Sequence, residues 1–220
     1  MDRKAWRIKL CWGIESGECP NVLDPDANLK KDLEAVVEAS GWLQCVQNNL
    51  QRDIKPLDQF SISVSGCPNG CSRPQIADFG LLQAQYPEVN AGKCTGCAEC
   101  ERACREGAID LETGVARINA EDCLSCGVCF RACSEQALKA VQQGYRVQVG
   151  GKLGRHPRLA DELPGIFSRE QMLQILDMCL TLHQKHSRPG VRFGQVVAEV
   201  GIEKIMQSFS STAAGRSRPV

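Results

Sequence analysis

The chain has 220 residues, and its 26 Lys and Arg residues balance 26 Asp and Glu residues. This neutrality gives no electrostatic reason to expect a nucleic acid or an anionic membrane as partner. The N-terminus lacks the apolar region of an export signal, and no apolar run reaches the ~18 residues of a membrane helix. We therefore expect a cytoplasmic protein, whose 14 cysteines are metal ligands and not disulfides.

The first ninety residues begin with a short strand candidate, Ile8–Leu10, that leads to Cys11. Cys19 follows in a turn that contains proline. From residue 28 to residue 40 apolar side chains recur at helical spacing, which predicts an amphipathic helix. Cys45 has no second cysteine close by, so its simplest interpretation is a buried structural thiol.

A Gly- and Pro-rich turn at residues 65–74 carries Cys67 and Cys71 and directly follows a strand candidate, Phe60–Val64. Because apolar and polar residues alternate in that stretch, we predict a strand that delivers both thiols to one edge of a sheet. Thiolates favour iron–sulfur clusters, zinc or Cu(I) over hard cations. Taken alone, the pair is also compatible with a structural zinc site or with two unrelated buried cysteines.

The order of these features resembles the cluster-binding half of siroheme-dependent sulfite and nitrite reductases. It consists of a strand, paired cysteines, a helix, a second strand and then Gly-Cys-Pro-Asn-Gly-Cys. In that family a C-x5-C motif and a later C-x3-C motif hold a [4Fe–4S] cluster, and the last thiolate also ligates the siroheme iron. The resemblance implies that Cys11, Cys19, Cys67 and Cys71 hold a cluster, with Cys71 as the catalytic, bridging thiolate. Cys11 lies further from Cys19 than that motif specifies, so Cys45 remains an alternative to Cys11.

The central segment repeats one cysteine spacing, C-x2-C-x2-C-x3-C, twice between residues 94 and 133. The run resembles that of bacterial dicluster ferredoxins, in which the fourth cysteine of each copy ligates the other cluster. One predicted [4Fe–4S] site therefore consists of Cys94, Cys97, Cys100 and Cys133. The second consists of Cys123, Cys126, Cys129 and Cys104.

Zinc ribbons also contain repeated C-x2-C pairs. Zinc sites, however, usually consist of two pairs separated by a longer spacer, whereas this pattern is a triplet with a fourth thiol. Between the copies, residues 108–111 and 115–118 alternate around a Gly-containing turn and predict a hairpin. Both features favour iron–sulfur clusters.

The C-terminal third begins with a strand candidate, Tyr145–Val149, that runs into a Gly-, Lys- and Arg-rich stretch at residues 150–158. Siroheme carries many carboxylates, so its pocket needs cations and accessible backbone N–H groups. The stretch is similar to the tetrapyrrole-lining loop of the reductase family, although an ordinary basic turn would have the same composition. The resemblance implies siroheme contacts from Asn69, Arg73, Lys152, Arg155 and Arg158.

A capping box at Ser168 and Gln171 predicts the start of a further helix. Its apolar stripe, which includes Cys179, should be core. His183 and His186 lie near its end, where a cation is favourable, and we do not expect them to be ligands. Helices are also expected at residues 193–200 and 202–209, followed by a disordered tail from Ser210.

The expected fold is therefore an α+β reductase lobe, with a mixed sheet and covering helices, built from residues 1–90 and 141–209. A small ferredoxin-like domain with two clusters, residues 91–140, interrupts it, and residues 210–220 form the tail. The resemblance further implies that the pseudo-symmetric half that supplies most anion-binding Arg and Lys residues has no room in this chain.

Two functions follow from the resemblance. The first is reduction of sulfite or nitrite on a Cys-bridged siroheme fed by three [4Fe–4S] clusters, with an electron donor protein and either a reductase subunit or a second copy that completes the pocket. The alternative is an iron–sulfur electron carrier without siroheme. A zinc-dependent interaction module is a third hypothesis, and it would be colourless.

Overall fold

The computed structural model describes residues 4–26, 28–50 and 52–214, with side chains up to residue 209. The strands are β1 (Trp6–Leu10), β2 (Phe60–Ser65), β3 (Phe79–Val89), β4 (Ile109–Asp110), β5 (Arg117–Ile118), β6 (Leu138–Val149) and β7 (Asp161–Glu162). The helices are α1 (Trp12–Ser16), α2 (Leu29–Ala39), α3 (Trp42–Asn49), α4 (Glu99–Ala103), α5 (Val128–Ala132), α6 (Arg169–Lys185), α7 (Phe193–Val200) and α8 (Ile202–Ala214). Short 3-10 turns occur at Pro56–Asp58 and Pro74–Ile76.

Five strands form one mixed sheet in the order β1-β2-β3-β6-β7. The first three are parallel, whereas β6 and β7 run antiparallel to their neighbours. Leu10 pairs with Val64, so β1 and β2 end side by side. The carboxyl ends of parallel strands are the usual location of ligand sites in open sheets. The expectation of a mixed α+β sheet with helices is confirmed.

Helices cover one face of this sheet. The side chains of Phe60, Ile62 and Val64 share a hydrophobic core with α2, α3 and α6. Because strand residues alternate between faces, the intervening serines of β2 point to the other face. There Ser63 Oγ donates to the Ser72 carbonyl at 2.8 Å, and Ser61 Oγ donates to the Asp78 carboxylate at 2.6 Å. The segment after β2 thus covers part of the polar face.

Most predicted helices begin and end close to the expected residues. The α6 helix starts with the predicted capping box, in which Ser168 accepts from the Gln171 N–H and the Gln171 side chain accepts in return. α7 has the expected bounds, with Gly201 in the left-handed region after it. α8 continues to Ala214, so residues 210–214 of the expected disordered tail are helical, and residues 215–220 lie outside the described part.

The long strand β3 was not predicted, and β6 begins seven residues before the expected Tyr145. Gly80 and Pro87 interrupt the alternation of β3, and the pairing register with β6 shifts at Pro87, as is usual for proline within a sheet. Here tertiary pairing between β3 and β6 overrides the local pattern.

Residues 90–137 leave the sheet at the end of β3 and return at the start of β6. We call them the insert, and we call the remainder the lobe. The insert contains the expected hairpin, shortened to β4 and β5, and two five-residue helices, α4 and α5. A small hydrophobic cluster combines Cys100, Ile109, Ala116 and Cys129 of the insert with Leu138, the first residue of β6. No helix in the described ranges is long and apolar enough to cross a membrane.

Candidate cofactor site

Four cysteines meet at the ends of β1 and β2. We call Cys11, Cys19, Cys67 and Cys71 the lobe set. The pKa of the Cys67 thiol is raised, first by burial and then by the charges of the three other thiols of the set, while the Asn69 backbone N–H lowers it. The arrangement brings together the four cysteines that the resemblance implies.

The wide spacing between Cys11 and Cys19 is taken up by the short helix α1. Cys11 precedes this helix, and Gly17 ends it with φ of 72°. Cys19 packs so closely on Gly13 that a Cβ there would lie 2.5 Å from the Cys19 Cβ. The Gly66 N–H donates to Cys11 Sγ at 3.3 Å, which joins the two cysteine loops.

Cys45 takes no part in the lobe set. It is half-buried on α3, and its thiol accepts a long contact from Asn49 Nδ2 at 3.6 Å. The same amide donates to Ser187 Oγ at 2.8 Å. Cys45 is therefore less buried than expected, and in this fold Cys11, not Cys45, lies beside Cys67.

Serine hydroxyls hold the Cys67–Cys71 loop against the sheet. The Ser65 and Ser72 hydroxyls lie 2.7 Å apart, and the Ser72 N–H donates to Ser65 Oγ at 3.2 Å. Arg73 follows with φ of 65°, a left-handed conformation that is uncommon for a residue other than glycine. This bend leaves the Cys71 thiol exposed while Ser72 is buried.

The eight insert cysteines form two groups. The first set, Cys94, Cys97, Cys100 and Cys133, lines one small cavity. The second set, Cys104, Cys123, Cys126 and Cys129, lines another of about 370 Å³. In each group the fourth cysteine of one copy joins the first three of the other, which is the crossed arrangement expected from the sequence.

The thiol pKa values reflect the same grouping. Burial raises the pKa of Cys129 to about 12, with further contributions from Cys126 and Cys123. Burial also raises the pKa of Cys100, with contributions from Cys133 and Cys94. Neutral thiols are therefore favoured unless a metal centre compensates the thiolate charges.

The backbone of the two copies adopts left-handed conformations at equivalent positions: Gly96 and Ser125, Ala98 and Gly127, Gly107 and Gln136. Such turns direct successive N–H groups into one concavity, an arrangement that binds anions and iron–sulfur clusters. The Ala116 N–H donates to Cys94 Sγ at 3.5 Å, and the Ala137 N–H donates to Cys133 Sγ at 3.3 Å. Hydrogen bonds to ligand sulfurs are among the factors that set cluster potentials.

Within residues 4–26, 28–50 and 52–214, no three His, Cys, Asp or Glu side chains converge closely enough to hold a single metal ion. A [4Fe–4S] cluster makes a different demand, because its four thiolates hold the corners of a cube. The donor chemistry of each set, four soft sulfurs with backbone N–H groups nearby, fits such a cluster.

The second set lies against the lobe. Its cavity is also lined by Cys67, Pro68 and Asn69 of the lobe loop. The Gln85 N–H donates to the Ser125 carbonyl at 2.8 Å, and Arg146 Nη1 donates to the Leu124 carbonyl at 3.3 Å. All residues that line the first cavity, by contrast, lie between Val89 and Leu138.

The five predicted siroheme contacts do not share one cavity. Asn69 is exposed at the cavity of the second set, and Arg73 is exposed on the open face of the sheet. Lys152 and Arg158 pair through their backbones, and Arg155 is exposed between them.

The guanidinium of Arg158 is engaged in contacts within its own loop. It donates to the Gly150 and Leu159 carbonyls at 3.1 and 3.2 Å and forms an ion pair with Asp161. Its observed role is to brace the loop, because local acceptors already occupy its guanidinium.

A groove of about 300 Å³ on the open face of the sheet contains Arg73, which the sequence indicated, and three further cations that it did not. We call it the basic groove and define it by four cations: Arg7, Lys9, Arg73 and Arg192. Arg7 and Lys9 are two apart on β1, so they project from the same face. The predicted strand, Ile8–Leu10, begins one residue after Arg7, so the sequence did not indicate that the two cations share a strand face.

Two other groups on α6 are structural. Cys179 is 1% exposed in the core, as expected. His183 stacks on Trp42 with ring centroids 4.6 Å apart, and burial lowers its pKa. The expectation of a favourable cation at this helix end is therefore wrong for His183, because burial favours the neutral ring.

Residues 24–216 match the family model described as the nitrite and sulphite reductase 4Fe-4S domain. The chain is 35% identical over 174 residues, 78% of its length, to the coenzyme F420-dependent sulfite reductase of Methanocaldococcus jannaschii. It is similar in fold to dissimilatory sulfite reductase I, with a TM-score of 0.60 and 18% identity over 92% of this chain and 51% of that one. It also resembles the NirA protein of Mycobacterium tuberculosis, with a TM-score of 0.52 and 19% identity over 92% of this chain and 27% of that one.

The chain therefore belongs to the nitrite and sulfite reductase 4Fe–4S family, a family of iron–sulfur oxidoreductases. It spans 28% of the length of the F420-dependent enzyme. The fold around the lobe set is thus that of the nitrite and sulfite reductase family, and the match covers only part of the F420-dependent enzyme.

Proposed function

We propose that this protein is a cytoplasmic, siroheme-binding component of a sulfite or nitrite reductase, with three [4Fe–4S] clusters held by the lobe set, the first set and the second set. The observation that carries the proposal is the exposed Cys71 thiol at the end of a four-cysteine group on the reductase fold. A ferredoxin-like role of the insert rests on its two crossed cysteine groups.

When bound, the clusters supply one-electron transfer and siroheme supplies the multi-electron reduction of the oxyanion. The protein holds these groups and sets their surroundings. Cys71 would ligate the siroheme iron from the lobe loop, and Arg73 would bind a carboxylate beside it. Gly66 donates to the Cys11 sulfur, which stabilises the thiolate form.

The position of the second set supports an order among the three groups. Only the second set shares a cavity with Cys67 among the described residues, so it is the set placed to exchange electrons with the lobe set. The first set is placed to receive electrons from a donor protein, since Cys97 is exposed.

A matched pair of variants tests this order. Cys100 and Cys129 are the third cysteines of the two copies and are 7% and 8% exposed. The measurement is the electron paramagnetic resonance spectrum of the reduced protein. In wild type, magnetic coupling to the cluster of the second set should broaden the resonance of the lobe cluster. Cys129→Ser should narrow that resonance, whereas Cys100→Ser should leave it broad. Narrowing in Cys100→Ser alone would reverse the order.

A second candidate function is an iron–sulfur electron carrier without siroheme. The engaged side chain of Arg158 favours it, because one expected carboxylate contact is already occupied. In either case a partner subunit or a second copy of this chain would complete a reductase pocket.

The experiment that separates the two candidates is oxygen-free purification from a host able to make siroheme, followed by iron, sulfide and visible absorption analysis. We expect about thirteen irons, twelve from three [4Fe–4S] clusters and one from siroheme, and distinct tetrapyrrole bands above the broad cluster absorption. About twelve irons without tetrapyrrole bands would identify the electron carrier. A colourless protein containing zinc would contradict both.

A further inference from the structure

The basic groove is formed by the polar face of the two parallel strands at the sheet edge and by two neighbouring loops. Arg7 pairs in register with Ser61, and Lys9 pairs with Ser63. The serine side chains are short and bind inward to Asp78 and to the Ser72 carbonyl, so they leave space between the longer cations. The wall opposite β1 begins at Ser72, the residue after Cys71.

Three of the four groove cations lack a counter-charge within the described part of the chain. Among the described residues, the side chains of Arg7, Lys9 and Arg73 form no ion pair or hydrogen bond, and no Asp or Glu lines the groove. Arg192 reaches Asp78 at 3.4 Å, but that carboxylate already accepts from the Ser61 N–H and hydroxyl. Like charges gathered in this way repel one another unless an anion is bound.

We infer that the basic groove is an oxyanion-binding site of this chain, in which Arg7 and Lys9 bind carboxylate or sulfite-type oxygens beside the Cys71 loop. The inference rests on the proposed function, because Ser72 and Arg73, the two residues that follow the proposed siroheme ligand Cys71, line the groove. Arginine forms paired hydrogen bonds with such planar oxyanions, and lysine adds a point charge. Two sources share this chemistry: the carboxylates of siroheme and the free oxyanion substrate.

This site bears on one expectation from the sequence, namely that the pseudo-symmetric half supplies most of the anion-binding Arg and Lys residues. Three of the four groove cations, Arg7, Lys9 and Arg192, are residues that the family motif did not indicate. Their position on β1 and at the start of α7 makes the sheet face itself the recognition surface.

The test compares two double variants that remove the same charge from exposed positions. Arg7→Gln/Lys9→Gln alters the groove, and Lys30→Gln/Lys31→Gln alters the exposed start of α2. Siroheme content per iron and the dissociation constant for sulfite, from a spectral titration, are measured for both. Because charge-assisted hydrogen bonds are lost, we expect a change of about tenfold or more in one of these quantities for the groove variant alone.

The two sources give different results. Loss of siroheme with iron retained assigns the groove to the tetrapyrrole carboxylates, whereas weaker sulfite binding with siroheme retained assigns it to the substrate. Equal behaviour of the two double variants would overturn the inference.

If the wild-type protein contains no siroheme, the proposed function fails but the groove is still testable. Thermal stabilisation by sulfite or by uroporphyrin, a carboxylate-rich tetrapyrrole, should then be present in wild type and reduced in the groove variant. Stabilisation by neither compound would contradict the oxyanion site independently of the function.

Discussion

The lobe and the insert bury their side chains by different means. The lobe core consists mainly of large aliphatic and aromatic residues on β1, β2, β3, β6 and their covering helices. The insert core consists of two buried cysteines and two aliphatic residues next to Leu138 of β6, with three further cysteines packed against it. Because metal binding is coupled to folding where the apolar core is small, the insert should depend on its clusters for structure, whereas the lobe should not.

Removal of iron is the strongest test of this difference between the insert and the lobe. Chelation under denaturant-free conditions should abolish amide protection across α4, α5 and the β4–β5 hairpin, because little else holds them together. Amides of β2, which is buried along its whole length, should stay protected. Hydrogen exchange with mass spectrometry measures both, and equal loss of protection in the two regions would refute the distinction.

A Cys→Ser substitution should lower the iron content when it is made in the insert and the free energy of unfolding when it is made in the lobe core. Cys129→Ser removes a proposed ligand of the second set and should lose about four of the about twelve cluster irons. Cys179→Ser places a hydroxyl in a site that is 1% exposed, which should cost about 1–3 kcal/mol of unfolding free energy without loss of iron.

Iron analysis and urea unfolding of both proteins provide the check. Loss of iron in Cys179→Ser would mean that this thiol is a ligand and not part of the core.

A smaller effect should appear in the pH dependence of the free energy of unfolding of the lobe. Burial lowers the pKa of His183, with Arg192 and His186 acting in the same direction and Asp78 and the Val191 backbone opposing it. The unfolded chain therefore binds more protons than the folded one as pH falls below about 6.5, the ordinary His value. Stability is present above that pH and declines as pH falls through the unfolded pKa toward the folded pKa.

His183→Phe should reduce this acid sensitivity, since Phe retains the stacking on Trp42 and cannot be protonated. The measurement is urea unfolding on both sides of pH 6.5, followed by a lobe-specific signal. His186→Phe, an exposed control near the same helix end, should leave the sensitivity largely intact. An unchanged pH slope in His183→Phe would assign the acid response to other groups.

The sequence predicted those parts of the molecule that local patterns determine. The spacing of the cysteines predicted the crossed groups of the insert, because a fourth thiol cannot join its own triplet in that motif. The capping box predicted the start of α6, because its two hydrogen bonds lie within one turn.

Other features depended on residues distant in the chain. β3 escaped prediction because its pairing with β6 overrides Gly80 and Pro87. The basic groove was not predicted because Arg7 and Arg192 are far apart in the sequence. They line one groove only in the folded chain, where Arg192 also reaches Asp78. The contacts of Arg158 with Gly150, Leu159 and Asp161 likewise follow from how its loop folds.

The most direct test of the account is the visible spectrum of Cys71→Ser compared with that of the wild-type protein, both purified without oxygen. Since Cys71 is exposed and its loop is held by Ser65 and Ser72, the fold should survive the substitution. The account predicts loss of the tetrapyrrole bands with the iron of the two insert clusters retained. Unchanged tetrapyrrole bands would contradict the assignment of Cys71 as the bridging thiolate.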